Sequence, residues 1–181
     1  MDFNAIMART GDGARFKEKY QTGEDFIFVR KDQCTAEEMQ AFLEFFDAFE
    51  KDNDHQNELK LVIFGGEDIA VPETLADHVV VPVGASEQDL YDAYAGAQVL
   101  VLPSSADNTD DVLESILMKR PVLIKSDAKA SRNIVDDSRC GFYYGHYYQF
   151  EGQMNYIMAW PKIMVSMGIS GRAYAMKKMG L

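Results

Sequence analysis

Cysteine and histidine are scarce in this sequence. Only two of its 181 residues are cysteines, Cys34 and Cys140, and no Cys-x-x-Cys spacing occurs. Zinc modules and dithiol redox proteins therefore have no sequence support. Two cysteines allow at most one disulfide, although reduced thiols are the expectation. The histidines, His55, His78 and His146, are scattered without ligand spacing, so the sequence predicts no metal site.

Basic residues are outnumbered by acidic ones. Lys and Arg total 18 against 29 Asp and Glu, giving a formal net charge of -11. Such a surface repels phosphate backbones and excludes nonspecific nucleic-acid binding. The excess is uneven, because residues 1–104 hold 21 acids and 8 bases, whereas residues 105–181 hold 8 acids and 10 bases. An anionic ligand is therefore expected in the second half.

Long apolar runs are also missing. No run approaches the ~20 residues that a membrane-spanning helix needs, and the first 20 residues lack the apolar region of a signal peptide. We expect a cytoplasmic protein without a direct membrane span, and docking on a membrane surface through a partner stays open. No Ser/His/Asp or Cys/His set is placed for nucleophilic catalysis, so no catalytic residue is predicted.

Short apolar segments alternate with helical patterns along the chain. Because most of these segments are continuously apolar, they are typical of strands covered on both faces. Strands alternating with helices indicate βαβ units and a doubly wound sheet. The fold prediction is α/β and Rossmann-like, with a mostly parallel six-stranded sheet and helices on both faces. The predicted strands are Phe26–Val29, Leu59–Phe64, His78–Val81, Val99–Leu102, Val122–Ile124 and Phe142–Tyr144.

The helices carry recognisable start and stop signals. Thr35 and Glu38 form a capping-box pattern ahead of an apolar helical stretch. The tail from Phe150 to Met179 is predicted to be helical, with breaks near Trp160-Pro161 and at Gly168–Gly171. Residues 1–22 are predicted to be a loose N-terminal lead-in, and residues 23–181 a single domain of about the usual size.

The most informative stretch is VLVLPSSADNTDDVLESILMKRPVLI, residues 99–124. A strand ends in Pro103-Ser104, a short loop leads into a helix carrying Glu114, and Pro121-Val122 opens the next strand. In their order and spacing these features resemble group 1 glycosyltransferases, in the second, nucleotide-sugar-binding domain of their GT-B fold. FIFVR, which ends in Arg30, and LKLVIFGG are similar to the first two strands of that domain. The resemblance extends from about Phe26 to the end of the chain.

The resemblance implies a donor site and a reaction. Such enzymes transfer a sugar from a nucleotide donor to an acceptor hydroxyl in glycan biosynthesis and need no metal or other cofactor. By resemblance, Arg30 would bind the diphosphate and Glu114 would bind the ribose hydroxyls. Ser104 and Thr109 would bind phosphate or sugar hydroxyls. The family's chemistry takes place between two domains. The expected partners are therefore a nucleotide sugar and a missing N-terminal acceptor domain or another glycosyltransferase chain.

The sequence departs from the family pattern in the loop that would contact the phosphates of the donor. Ala106 stands where the family has its first glutamate, and Asp107-Asn108-Thr109 replace Gly-Phe-Gly. Asp107, Asp110 and Asp111 should repel a diphosphate at the helix start, by about 1 kcal/mol or more for each close charge. The lysine that usually follows Arg30 within a few residues is absent. We therefore expect weak binding, dominated by the nucleoside end.

Three functional readings follow. The first is a nucleotide-sugar-binding domain that is incomplete or inactive alone. The second is a non-catalytic glycosyltransferase-like module that partners an active glycosyltransferase, because the donor loop is depleted. The third, an unrelated flavodoxin-like domain, is weaker, since no phosphate-cradling loop follows the first strand.

Overall fold

A single parallel sheet forms the centre of the protein. In this computed structural model, which describes residues 3–53 and 58–180, six strands are ordered β3-β2-β1-β4-β5-β6 and every neighbouring pair is parallel. The predicted α/β sheet is confirmed and is parallel throughout. The strands are β1 (Phe26–Arg30), β2 (Lys60–Phe64), β3 (Val79–Val80), β4 (Leu100–Leu102), β5 (Val122–Lys125) and β6 (Gly141–Tyr144).

Helices connect the strands and cover the sheet. Thr35 and Glu38 form the predicted capping box at the start of the third helix. The described residues hold these helices: α1 (Phe3–Ala8), α2 (Gly13–Tyr20), α3 (Ala36–Asp52), α4 (Glu87–Gly96), α5 (Thr109–Leu117), α6 (Lys129–Ser138), α7 (Tyr147–Ala159) and α8 (Pro161–Met179). Short 3-10 turns follow β1 at Lys31–Gln33 and precede β3 at Glu73–Leu75.

The sheet is buried on both faces, which explains its continuous apolar strands. Side chains alternate along β1: Phe26 and Phe28 enter one core with helices α1, α2, α4, α5 and α6. Ile27 and Val29 enter the other with α3 and α7. Both cores include a residue of α8. Helices therefore lie on both faces, as predicted.

The N-terminal segment predicted to be loose contains two helices, and α2 packs on α4. Phe16 is fully buried and stacks on Phe26, with ring centroids 5.4 Å apart. The buried carboxylate of Asp92 accepts hydrogen bonds from the Arg15 guanidinium at 2.6 and 2.7 Å and from the Asp12 amide at 2.8 Å. These contacts are long-range, so the local pattern of the segment did not indicate them. The domain boundary at residue 23 stays a prediction.

The C-terminal helices break at one of the two predicted places. α7 ends before Trp160 and α8 begins at Pro161, as expected for proline at the first helical position. The predicted break at Gly168–Gly171 is wrong, because α8 continues through it. A Cβ on Gly168 would lie 2.1 Å from the Lys119 carbonyl oxygen, so glycine serves close packing here. No helix among the described residues is both long enough and apolar enough to cross a bilayer.

Candidate functional site

The predicted site residues lie at the sheet edge where ligands of open α/β folds bind. β1 lies between β2 and β4, so the chain reverses its direction of winding between β1 and β4. Such a switch point leaves a crevice outside the carboxyl ends of the strands. Arg30 ends β1, Ser104 follows β4, and Thr109 begins α5. Arg30 is distant in sequence from Ser104 and Thr109, and the parallel sheet brings all three to one edge.

Arg30 lies among three acidic side chains, a group that we call the Arg30 cluster: Arg30, Asp32, Asp111 and Glu114. Its Nη1 donates to Oε2 of Glu114 at 3.2 Å. Its Nε and Nη2 donate to the two oxygens of Asp32 at 3.2 and 2.7 Å. Oδ1 of Asp111 lies 4.0 Å from Nη1. The structure thus joins two predicted ligand contacts, Arg30 and Glu114, to each other.

Burial shifts the pKa values of the groups in the Arg30 cluster. The Glu114 side chain is 9% exposed and that of Arg30 is 17% exposed. Burial raises the pKa of Glu114 and of Asp111, although the charge of Arg30 acts in the opposite direction. Burial alone would lower the pKa of Arg30, but Asp32 and the other acidic charges raise it. One cation among three carboxyl groups makes this part of the site unfavourable for a free anion.

Ser104 belongs to a separate hydrogen-bonded group. It is buried, and its hydroxyl donates to Oε1 of Glu38 at 3.1 Å while accepting from the Ala106 amide at 3.1 Å. The same Glu38 oxygen accepts from the Ser105 amide at 2.9 Å. Although partial burial acts against its charge, these hydrogen bonds and those of the Thr35 cap lower the pKa of Glu38. Glu38 therefore holds the loop after β4 against the start of α3.

Sequence reasoning recognised Glu38 only as a helix cap and missed Asp32 entirely. The capping-box spacing accounts for one oxygen of Glu38, and no local signal indicated that the other reaches the β4 loop. Asp32 did carry a signal, since it lies two positions after Arg30 at the same strand end. A carboxylate at that spacing reaches a guanidinium through a single 3-10 turn.

The three aspartates around the start of α5, all expected to face the phosphates, have different surroundings. Asp107, expected to face phosphates, accepts hydrogen bonds from the Ala130 and Ser131 amides at 2.7 and 3.2 Å. It thereby satisfies free amides at the start of α6. Thr109 is half-buried at the first position of α5, and Asp110 beside it is exposed. Of the three aspartates, Asp111 is the one that forms an ion-pair contact with Arg30.

A cavity of about 500 Å³ opens beside the Arg30 cluster. Arg30, Asp32, Phe64, Gly65 and Leu90 line it, together with Lys31, whose amine pairs with Asp68. Gly65 has a φ of +72°, a conformation that favours glycine and turns the chain sharply after β2. The cavity combines an apolar wall with the guanidinium of Arg30 and one carboxylate, that of Asp32. Such a lining suits a ligand with a flat ring and hydroxyl groups.

The described residues hold no group of three or more His, Cys, Asp or Glu side chains arranged to bind a metal ion. His78 contacts Glu50, with Nδ1 3.2 Å from Oε2, while His55 lies outside the described residues. Cys34 and Cys140 are free thiols, and burial raises the pKa of each to about 11. Both thiols are therefore protonated near neutral pH and poor nucleophiles.

Comparison with known proteins identifies the class. Residues 24–156, well over half of the chain, match the family model described as glycosyl transferases group 1. The chain therefore belongs to the group 1 glycosyltransferase family. No curated protein sequence matches it.

Solved structures similar to this chain include glycosyltransferases and the C-terminal domain of one. The C-terminal domain of the group 1 protein LpcC from Francisella tularensis superposes with a TM-score of 0.73 at 15% identity, covering 98% of this chain and 97% of that one. The C-terminal CMP-Kdo binding domain of WaaA from Acinetobacter baumannii gives 0.61 at 14% identity, with 93% and 97% covered. HepE from Anabaena, solved with UDP and glucose, gives 0.74 at 13% identity, with 98% of this chain covered. The chain spans 50% of HepE, and at these identities the likeness establishes the fold.

Proposed function

We propose that this chain is the nucleotide-sugar-binding domain of a group 1 glycosyltransferase and that it does not catalyse sugar transfer alone. The observation that carries the proposal is the hydrogen bond between Arg30 and Glu114 at the switch point of the sheet, next to a cavity that Arg30 lines. In this proposal Glu114 binds ribose hydroxyls, because a carboxylate on a helix accepts two O–H bonds at once. Ser104 and Thr109 bind phosphate or sugar hydroxyls.

The comparisons support the ligand class. WaaA's C-terminal domain is described as binding CMP-Kdo, and HepE was solved with UDP and glucose. The match with about half of HepE supports a missing second domain. The acceptor and any catalytic base would come from that domain or from another glycosyltransferase chain. Donor and acceptor must meet in one geometry for transfer, so a single domain should bind without catalysing.

Calorimetry tests the proposal with UDP, GDP, ADP and CMP, and with the matching nucleosides. We expect weak, base-selective binding by the purified chain that is lost in Glu114→Ala. Glu44→Gln, which changes an exposed carboxylate on α3, should bind like the unchanged chain. Thermal denaturation establishes that each variant is folded. Sugar transfer by the purified chain alone would contradict the incompleteness, and equal binding by both variants would contradict the role of Glu114.

One observation favours a second candidate, the non-catalytic module. The acidic partners of Arg30 leave the site poorly suited to a diphosphate. A chain that binds none of these nucleotides, yet forms a stable complex with an active glycosyltransferase, would be such a module. In that case the fold would be retained for assembly, and Glu114 would serve only to pair with Arg30.

A further inference from the structure

The guanidinium of Arg30 donates three of its five N–H groups to carboxylates of the protein itself. Each of its three nitrogens donates to a carboxylate, Nε and Nη2 to Asp32 and Nη1 to Glu114. An arginine can bind a carboxylate or phosphate through two parallel hydrogen bonds, and the edge formed by Nε and Nη2 is one place where it does so. Asp32 therefore occupies the position that a phosphate group would take on this edge.

The two carboxylates differ in their freedom to move. Glu114 lies on α5 and its side chain is 9% exposed, so the helix holds it in place. The Asp32 side chain is 66% exposed and lies in a short 3-10 turn directly after β1. Asp32 can rotate into solvent without disturbing the core, whereas Glu114 cannot. An entering anion would displace Asp32 first.

We infer that Asp32 is a specificity-determining residue that masks Arg30 and weakens binding of diphosphate groups relative to nucleosides. The inference rests on the proposed function and deepens it. Asp32 acts by direct competition for the guanidinium, and its own negative charge repels the same anion. Because exposed ion pairs are weak, the mask is displaceable and lowers affinity without abolishing it. Removing it should raise anion affinity while leaving nucleoside affinity unchanged.

The test compares Asp32→Asn and Asp32→Ala with a matched control, Glu67→Gln. Glu67 is exposed in the turn after the neighbouring strand β2 and is not among the partners of Arg30. The control removes one negative charge from the same sheet edge without unmasking the guanidinium. Calorimetry with inorganic pyrophosphate, UDP and uridine measures binding. Modification of Arg30 by phenylglyoxal, followed by peptide mass spectrometry, measures how available the guanidinium is without any nucleotide.

We expect both Asp32 variants to bind pyrophosphate and UDP about five- to tenfold more tightly, the effect of one close charge that is largely exposed to water. Uridine binding should not change, and Arg30 should be modified several times faster. Glu67→Gln should alter pyrophosphate binding less than about twofold, since Glu67 is exposed to solvent, where salt screens its charge, and does not pair with Arg30.

Other results would contradict either the masking role of Asp32 or the proposed function. Unchanged Arg30 modification, or equal tightening in Glu67→Gln and Asp32→Asn, would overturn the masking role and leave only general repulsion. Tighter pyrophosphate binding in the Asp32 variants, without UDP or uridine binding by any form, would support the mask. That result would contradict nucleotide binding and hence the proposed function.

Discussion

Arg30 at the end of β1 donates a hydrogen bond at 3.2 Å to Glu114, which lies 84 positions further along the chain on α5. The pair connects the central strand to the helix that starts at the switch point. Both side chains are largely buried, and Arg30 supplies the cation that compensates the charge of Glu114. A ligand that contacts either residue must therefore compete with an interaction inside the protein.

Loss of this pair should cost stability. Arg30→Ala leaves Glu114 buried without its cation, and we expect a decrease of about 2 kcal/mol in the free energy of unfolding at pH 7. Chemical denaturation measures it. In the Glu114→Gln background the same substitution should cost clearly less, because no buried charge is left behind. Equal costs in both backgrounds would contradict a coupling between the two residues.

The acidic groups around Arg30 should make stability depend on pH in a specific direction. Burial raises the pKa of Asp111 above its ordinary value of 3.8. A carboxyl group with a raised pKa keeps its proton to a higher pH in the folded state than in the unfolded state. Its contribution to stability therefore falls as the pH rises from the ordinary pKa to the raised one. Asp111→Asn cannot lose a proton. Its unfolding free energy relative to the unchanged chain should increase between about pH 4 and pH 7. A difference that is independent of pH would show that Asp111 titrates normally.

Asp92 should behave in the opposite way. Burial acts against its charge, but hydrogen bonds from Arg15, Asp12 and Gln88 lower its pKa below 3.8. The contribution of Asp92 to stability is therefore fully present at pH values above its ordinary pKa, and it is lost as the pH falls through the lowered pKa. Asp92→Asn should lower the Tm by a few degrees at pH 7 and by much less at pH 2, as calorimetric scans can measure. Glu87→Gln, which breaks the exposed pair with Arg9, should leave the Tm nearly unchanged.

Two glycines in the C-terminal helices should respond to alanine with opposite signs. A Cβ on Gly168 in α8 would lie 2.1 Å from the Lys119 carbonyl oxygen, so Gly168→Ala should destabilise the protein by about 1–3 kcal/mol. A Cβ on Gly152 in α7 meets nothing within 4 Å. Gly152→Ala should stabilise by about 0.5–1 kcal/mol through helix propensity. Urea denaturation distinguishes the two, and a stabilised Gly168→Ala would contradict the close packing of α8.

The strands and most helices could be predicted because their signals are local. Continuous apolar runs such as Leu61–Ile63 are expected only where both faces of a sheet are covered, and the capping box of Thr35 and Glu38 marks a helix start within four residues. The glycines of α8 could not be interpreted in this way. Glycine disfavours a helix by its own propensity, and only the neighbouring Lys119 backbone explains why Gly168 is needed inside one.

The sequence by itself determined the fold class and the family, because strand and helix patterns and the spacing from Pro103 to Glu114 depend on neighbours along the chain. It also placed Arg30 and Glu114 among the candidate residues. Only the tertiary structure decided what these side chains contact. Pairing of Arg30 with Glu114, and of Asp107 with the start of α6, depends on residues brought together by the order of the parallel strands. Charges interact through space rather than along the chain, so the electrostatics of the site follow from topology.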